Sequence, residues 1–427
     1  MNLFEKENII KVYFKKIKNS ILNINKIDVF FILLLVLLII GPFVFKFFSK
    51  PNIENKNAYL FISPRFEEFF GKEITEKLLN EFEEQNPDLP VRIFNPFDVK
   101  GPSAEGREPD ILIFDDEDYN AYAANGSLAK FTVNASDHLA IPLVSFMNML
   151  FYNIEILTAA GMDRPPKTRE EFLACVRTVS NQHDEPFSNV TGAALSLSAD
   201  DKQALSRDIF SWILASGYDF WHEGNTPVLI TRDVTGDLSF LSGLYRESIL
   251  APGTFYTTGK QRLEEFANRK IAMMIGSTRD IPYLREKMGD DAFGVTNIPN
   301  SGSLGRYNIN LSGIYAGINR NCENPEQAKD FIVFLAGQSP FLSETLKAVP
   351  GVISDVIPGN YFKDDPFYSK ARDIFEASSV VQGFTGKPGA QKYENIFMEE
   401  IRVFFEGNQT SLETINAIQR RWDRVIP

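Results

Sequence analysis

The stretch MLFYNIEILTAAGMDRPPKTREEF, residues 149–172, carries most of the information on how this chain folds. Residues 149–152 read as the end of a buried strand, and 155–160 as one or two turns of helix. Gly161 stands where a left-handed residue closes such a helix. Pro165 and Pro166 force an extended connector, because a residue before proline is driven out of the helical region. Thr168 then starts a second helix, with Glu171 three residues on to complete a capping box.

On both sides of this stretch the pattern alternates strands and helices. AYLFIS (58–63) is a buried strand, followed by a helix with Phe66, Phe70, Ile74, Leu78 and Phe82 on one stripe. Asn86-Pro87 stops that helix, and VRIF (91–94) and DILIF (110–114) are further strands. Such an order predicts a parallel sheet with covering helices. Beyond the stretch, helices are expected over 200–215 and 263–268, and a strand over KIAMMIG (270–276). Ser277 or Thr278 then caps a helix through Lys287. Asn324 caps a helix with Pro325 first, Gln327 as its reciprocal partner and Gly337 closing it; the last helix starts at Thr410 with Glu413.

At 427 residues the chain exceeds one ordinary hydrophobic core, so two lobes are expected. A net charge of −12 excludes a nucleic-acid footprint, which needs a basic face. With three His and two Cys the ligands of a structural zinc site are missing. Cys175, in an apolar helical pattern, and Cys322, in a polar loop, read as free thiols, with a disulfide between them left open.

Residues 29–45, VFFILLLVLLIIGPFVF, carry no charge, and Lys46 can snorkel to extend the span to 48. The run is longer than a signal-peptide core; no Ala for a cleavage site precedes Ala58, and no Cys for lipid attachment precedes Cys175. The expectation is an uncleaved membrane helix over 29–48 and a tether over 49–57. Six Lys against three acids in 1–28 put that tail in the cytoplasm and the rest outside.

Several segments together resemble the extracellular solute-binding proteins of ABC importers, the family that includes maltose-binding protein. They are EFEEQNPDLPV, PDILIFDDEDYNAYAANGSL, IPLVSFMNMLFYN with PPKTREEF, FSWILASGYDFWHEGNTPVL, FANRKIAMMIGS, FGVTNIPN, AVPGVISDV and FFEGNQTSLETINAIQRRWDRV, in the family's order over nearly all of 58–427. The resemblance implies a type II periplasmic-binding-protein-like α/β fold with a ligand cleft between two lobes. Lobe 1 is expected from 58–141 and 299–348, lobe 2 from 142–298 and 349–427. The chain departs from many relatives in having a membrane helix where they have a lipid-modified Cys.

The candidate ligand residues follow from that placement. Ser63 and Arg65 follow the first strand, where Arg65 can donate bidentately to a hydroxyl pair or a carboxylate; the alternative is a solvated surface Arg. Asp115, Asp116 and Glu117 follow DILIF: a carboxylate there accepts from sugar hydroxyls in sugar-binding relatives. A calcium site or an acidic helix start are the other readings. Arg207 lies on the helix bearing Trp212, which itself reads as core; Phe220 and Trp221 read as a strand. Thr278 and Arg279 occupy the place where many sugar-binding relatives carry a stacking Trp, and its absence weakens the case for an oligosaccharide. Asn310 and Ser312, with Gly313, offer amide and backbone groups, or are an ordinary strand with a glycine bulge.

No Gly-x-Ser-x-Gly elbow, His-Glu-x-x-His pair or P-loop is present, and His138, His183 and His222 sit in loop-like contexts. A hidden carboxylate pair of glycosidase type stays open, but no enzyme, cofactor or metal is expected. The expectation is a membrane-anchored receptor that captures a small polar solute, a carbohydrate, and hands it to ABC permease subunits. The alternative is a ligand-sensing domain that presents its occupancy to a signalling partner.

Overall fold

A computed structural model describes residues 59–95, 108–181, 189–221, 226–229, 232–300, 307–350, 364–381 and 383–425. The chain divides into Met1–Tyr59, of which Tyr59 alone is described, and Leu60–Pro427, the unit described below. The expected tail, membrane helix and tether lie outside the described residues, as do His183 and His222. Among the described residues no helix is long and apolar enough to cross a membrane.

The centre of the unit is the strand Ala140–Asn153, whose last residues open the stretch 149–172. It lies in a mixed sheet ordered Val91–Ile93, Leu60–Ile62, Ile111–Asp115, Leu311–Asn319, Ala140–Asn153, Ile271–Ser277, Thr191–Ala193. The strands Leu60–Ile62, Val91–Ile93 and Ile111–Asp115 are parallel, whereas Leu311–Asn319 runs antiparallel to both its neighbours. The long strand changes partners midway. Residues up to Met147 pair with Leu311–Asn319, and residues from Asn148 pair with Ile271–Ser277.

A different core follows each half. One gathers Leu60, Phe66, Phe82, Ile113, Val144 and Phe331; the other gathers Leu150, Phe172, Trp212, Phe220, Phe397 and Trp422. Asn153 ends the strand and caps the helix Ile154–Ala159 by accepting from the Ile156 N–H. Gly161 takes φ +76°, the left-handed turn expected of it. Thr168 caps Arg169–Ser180 by accepting from the Glu171 N–H, while Glu171 binds the Lys167 N–H and Arg164.

Several expectations need correction. The Phe66–Phe82 stripe is two helices, Arg65–Phe70 and Lys72–Gln85, because Gly71 (φ 82°, ψ 158°) leaves the helical region. Asn324 makes no side-chain cap, and Gly337 is the last residue of Pro325–Gly337, not its left-handed terminator. The helix expected over 263–268 is Gly259–Ala267, begun by a Thr258–Gln261 capping box. Phe220 and Trp221 form no strand; Phe220 fills the second core and the Trp221 indole donates to the Gly383 carbonyl at 3.0 Å. The last helix, Ser411–Trp422, does carry the Thr410–Glu413 box, and Trp212 is buried core. Both cysteines are free thiols.

Candidate functional site

A cavity of about 500 Å³ opens where the two halves of the sheet meet. One wall is the start of the helix Asp116–Asn125 with the segment 310–312. The opposite wall comes from the helix Lys202–Ala215, residues 277–280, 383–385 and the helix Ala390–Phe405. The place is physically apt, since a carboxyl end of a parallel strand next to an interface leaves backbone groups and side chains facing a gap.

Of the ten residues singled out in the sequence, Asp115, Asp116, Glu117, Arg207, Arg279, Asn310 and Ser312 line this cavity. Ser63, Arg65 and Thr278 do not. Ser63 is buried and its Oγ accepts from the Arg65 N–H; Arg65 pairs with Asp115 at 3.3 Å and with Asp118, over the Phe69 ring. These two brace the acidic helix start from behind. Thr278 is fully buried, and its Oγ1 accepts from the Met147 N–H at 3.2 Å. It therefore ties the long strand to the turn beside it.

The acidic run is an N-terminal cap as well as a cavity wall. Asp115 accepts from the Asp118 N–H, as a helix start demands. Asp116 receives three donors: the Gly313 N–H at 2.9 Å, the Tyr315 hydroxyl at 3.0 Å and the Thr385 hydroxyl at 3.1 Å. Burial pushes the Asp116 carboxyl above its ordinary range, and those three bonds, with a smaller pull from the Arg279 charge, draw it back. Glu117 accepts from the Gln203 amide at 3.2 Å across the gap.

Arg207 donates to Asp208 at 3.0 Å, and Asp208 in turn accepts from the Ser196 N–H at 2.7 Å. Arg279 is exposed to the cavity, with its guanidinium carbon 4.2 Å from the centre of the Phe146 ring. Asp280 holds the Ser277 N–H at 2.8 Å and so fixes the turn that carries Arg279.

The sequence reading missed several wall residues. Asn148, at the partner switch of the long strand, donates to the Ser211 hydroxyl at 3.1 Å. Phe210 and Phe384 stack at 5.1 Å to give an apolar floor. Glu394 faces Asn120, whose amide donates to it at 3.4 Å while the Asn120 carbonyl accepts from the Gly386 N–H at 2.8 Å. Burial, with the nearby Asp116 charge adding to it, pushes the Glu394 carboxyl up to about 7. No local motif marks any of these, apart from Asn148 as a polar interruption inside an apolar run.

The family described as bacterial extracellular solute-binding protein matches residues 65–366. The chain belongs to this family. A further relative of this solute-binding protein is a "Probable ABC transporter-binding protein" of Deinococcus radiodurans, 24% identical over 249 residues. That match covers 56% of this chain and 57% of the relative, so the chain spans little more than half the length of the curated protein it matches.

Solved structures agree in fold. Maltose-bound MalE3 of T. maritima has a TM-score of 0.61 at 18% identity, over 86% of this chain and 100% of that one. The cyclic alpha-maltosyl-1,6-maltose binding protein of Arthrobacter globiformis gives 0.66 at 16%, over 86% and 98%. UgpB of Mycobacterium tuberculosis in complex with glycerophosphocholine gives 0.63 at 16%, over 86% and 97%. The mixed α/β architecture of this solute-binding protein is thus that of MalE-like periplasmic binding proteins. Among its described residues no group of three or more His, Cys, Asp or Glu is placed to hold a metal ion.

Proposed function

We propose that this chain captures a small polar solute, carbohydrate-like in its hydroxyl pattern, in the cavity and delivers it to the permease subunits of an ABC importer. The observation that carries the reading is the cavity itself, about 500 Å³ and walled by residues from both sides of the partner switch in the long strand. That volume suits a ligand of one to a few sugar rings. Asn310, Ser312, Asn148 and Glu117 present amides, a hydroxyl and a carboxylate to it, over the Phe210–Phe384 floor. The Deinococcus relative's description supports the importer, and the maltose-bound neighbour supports the solute class.

In this reading the two cores are two lobes, 58–141 with 299–348 and 142–298 with 349–427. Solute enters an open cleft and favours the closed arrangement, which the permease then recognises. Residues 29–48 form the membrane helix, residues 1–28 stay in the cytoplasm, and the binding unit works outside. The test is a thermal-shift screen of the whole chain in detergent micelles against sugars, polyols, amino acids and peptides. A true solute raises the melting temperature, and the rise grows with the logarithm of its concentration above the dissociation constant. A shift from amino acids or peptides alone removes the carbohydrate reading, and release of the chain from membranes by alkaline carbonate removes the anchor.

A further inference from the structure

The charges around the cavity are unevenly employed. Six carboxylates line it: Asp115, Asp116, Glu117, Asp201, Asp280 and Glu394. Each is turned to a donor of the protein itself. Asp115 holds the Asp118 N–H and Arg65, and Asp116 holds its three donors. Asp201 accepts from the Ala204 N–H at 2.9 Å and the Gly259 N–H at 2.7 Å, and Asp280 from the Ser277 N–H. Glu117 and Glu394 take the Gln203 and Asn120 amides.

The cations differ. Lys202 reaches the Asn395 side-chain carbonyl at 3.1 Å, Arg207 pairs with Asp208 beside Asp201 and Asp280, and Lys260, exposed on the first turn of Gly259–Ala267, is a point charge with no planar fork. Arg279 lines the same cavity yet forms no ion pair with any described carboxylate. Its backbone N–H is held by Ser277 at 3.3 Å, and its guanidinium lies on the Phe146 face. Stacking fixes the plane of the fork while its N–H edge stays open, the arrangement that receives two oxygens of an oxyanion side by side. The Arg279 charge is felt by Asp116, but no described carboxylate oxygen sits in ion-pair reach of the fork.

We propose that the solute of this cleft is an anion, a sugar acid or a phosphorylated polyol, and that Arg279 receives its carboxylate or phosphate in a bidentate pair. The inference rests on the reading of the cavity as the solute site. Committed carboxylates make the anion tolerable there, since their oxygens already point at N–H and O–H groups. Glu394, raised towards neutrality by its burial, sheds its charge with little cost when the anion arrives.

Matched probes test it on the whole chain in detergent: glucose against glucuronate and glucose 6-phosphate, glycerol against glycerate and glycerol 3-phosphate. At least one anion should bind about tenfold or more tighter than its neutral partner by calorimetry, the gain expected of a charge-assisted pair. The carboxylate and phosphate arms say which oxyanion is read. Arg279→Gln should bring that anion down to the level of its neutral partner. Arg279→Lys, which keeps the charge without the fork, should recover only part of the difference. Raising the salt should weaken the anion and spare the neutral probe. A neutral sugar that binds as tightly as its acid and phosphate, or an Arg279→Gln variant that keeps the anion preference, overturns the inference while leaving the solute site standing. If no probe of either series binds, the solute reading falls with it.

Discussion

Arg169 and Arg279 both lay a guanidinium against an aromatic face, Arg169 over Phe240 at 5.0 Å and Arg279 over Phe146 at 4.2 Å. Their edges differ. Arg169 is buried and donates to Asp237 at 2.6 Å, to the Ser216 hydroxyl at 2.9 Å and to the Trp212 carbonyl at 3.3 Å. Asp237 is also buried, and burial pushes its carboxyl up to about 6 against the pull of Arg169. In that interior position the protein itself supplies the acceptors, so the charge is part of the structure. On the cleft wall the same stacking is present and the acceptors are withheld. Stacking alone therefore says nothing of purpose; what faces the fork does.

Substitutions that separate stability from binding break or sharpen this contrast. The largest loss is expected from Arg169→Ala or Asp237→Ala, which leave a buried charge without its partner and cost about 3–5 kcal/mol. Urea denaturation measures it, and a loss below about 1 kcal/mol would erase the distinction between the two arginines. Asp116→Ala strands the Tyr315 hydroxyl and the Gly313 N–H and should cost about 1–3 kcal/mol by the same measurement.

Glu394 adds a dependence on pH with a defined sign. Its carboxyl sits at about 7 in the fold against an ordinary 4.5, so between those values the folded state holds a proton that the unfolded chain releases. Stability from this group is whole below pH 4.5 and is lost as pH rises to about 7. A melting-temperature profile of Glu394→Gln should lack that slope when subtracted from the parent. The smallest effect belongs to Arg279→Gln, whose unliganded stability should stay within about 0.5 kcal/mol of the parent, as for an exposed side chain that abandons only its Phe146 face and no ion pair. A large loss there would make Arg279 a second Arg169.

What the sequence disclosed was local. Gly161, Thr168 and the Thr410–Glu413 box act within one turn of chain, and the strand Ile111–Asp115 is apolar enough to be read without a partner. Arg169, inside that same stretch, carries no local sign of its burial, which goes with Asp237, 68 positions away. The break at Gly71 escaped because a four-residue stripe continues across a single non-helical residue. Asp116 lies on the cavity wall, yet nothing near it in the sequence reveals that Gly313, Tyr315 and Thr385 occupy its oxygens. Ser63, Arg65 and Thr278 lie off the cavity wall for a related reason: position along a strand end does not tell which side of the corner a side chain takes. Glu394 and Asn120 stand 274 residues apart and share no motif.

The strand Leu311–Asn319 lies between Ile111–Asp115 and Ala140–Asn153, two strands that leave the ribosome long before it. The first core thus stays unfinished until most of the chain has been made, a delay imposed by order of synthesis more than by slow chemistry. A nascent chain halted at residue 300 should be cut readily by protease throughout 60–146, whereas one halted at 400, with Leu311–Asn319 and Pro325–Gly337 clear of the ribosome, should be protected there. In the proposed reading, with the binding unit outside, such lateness keeps the polypeptide threadable and postpones the folded form to the far side of the membrane.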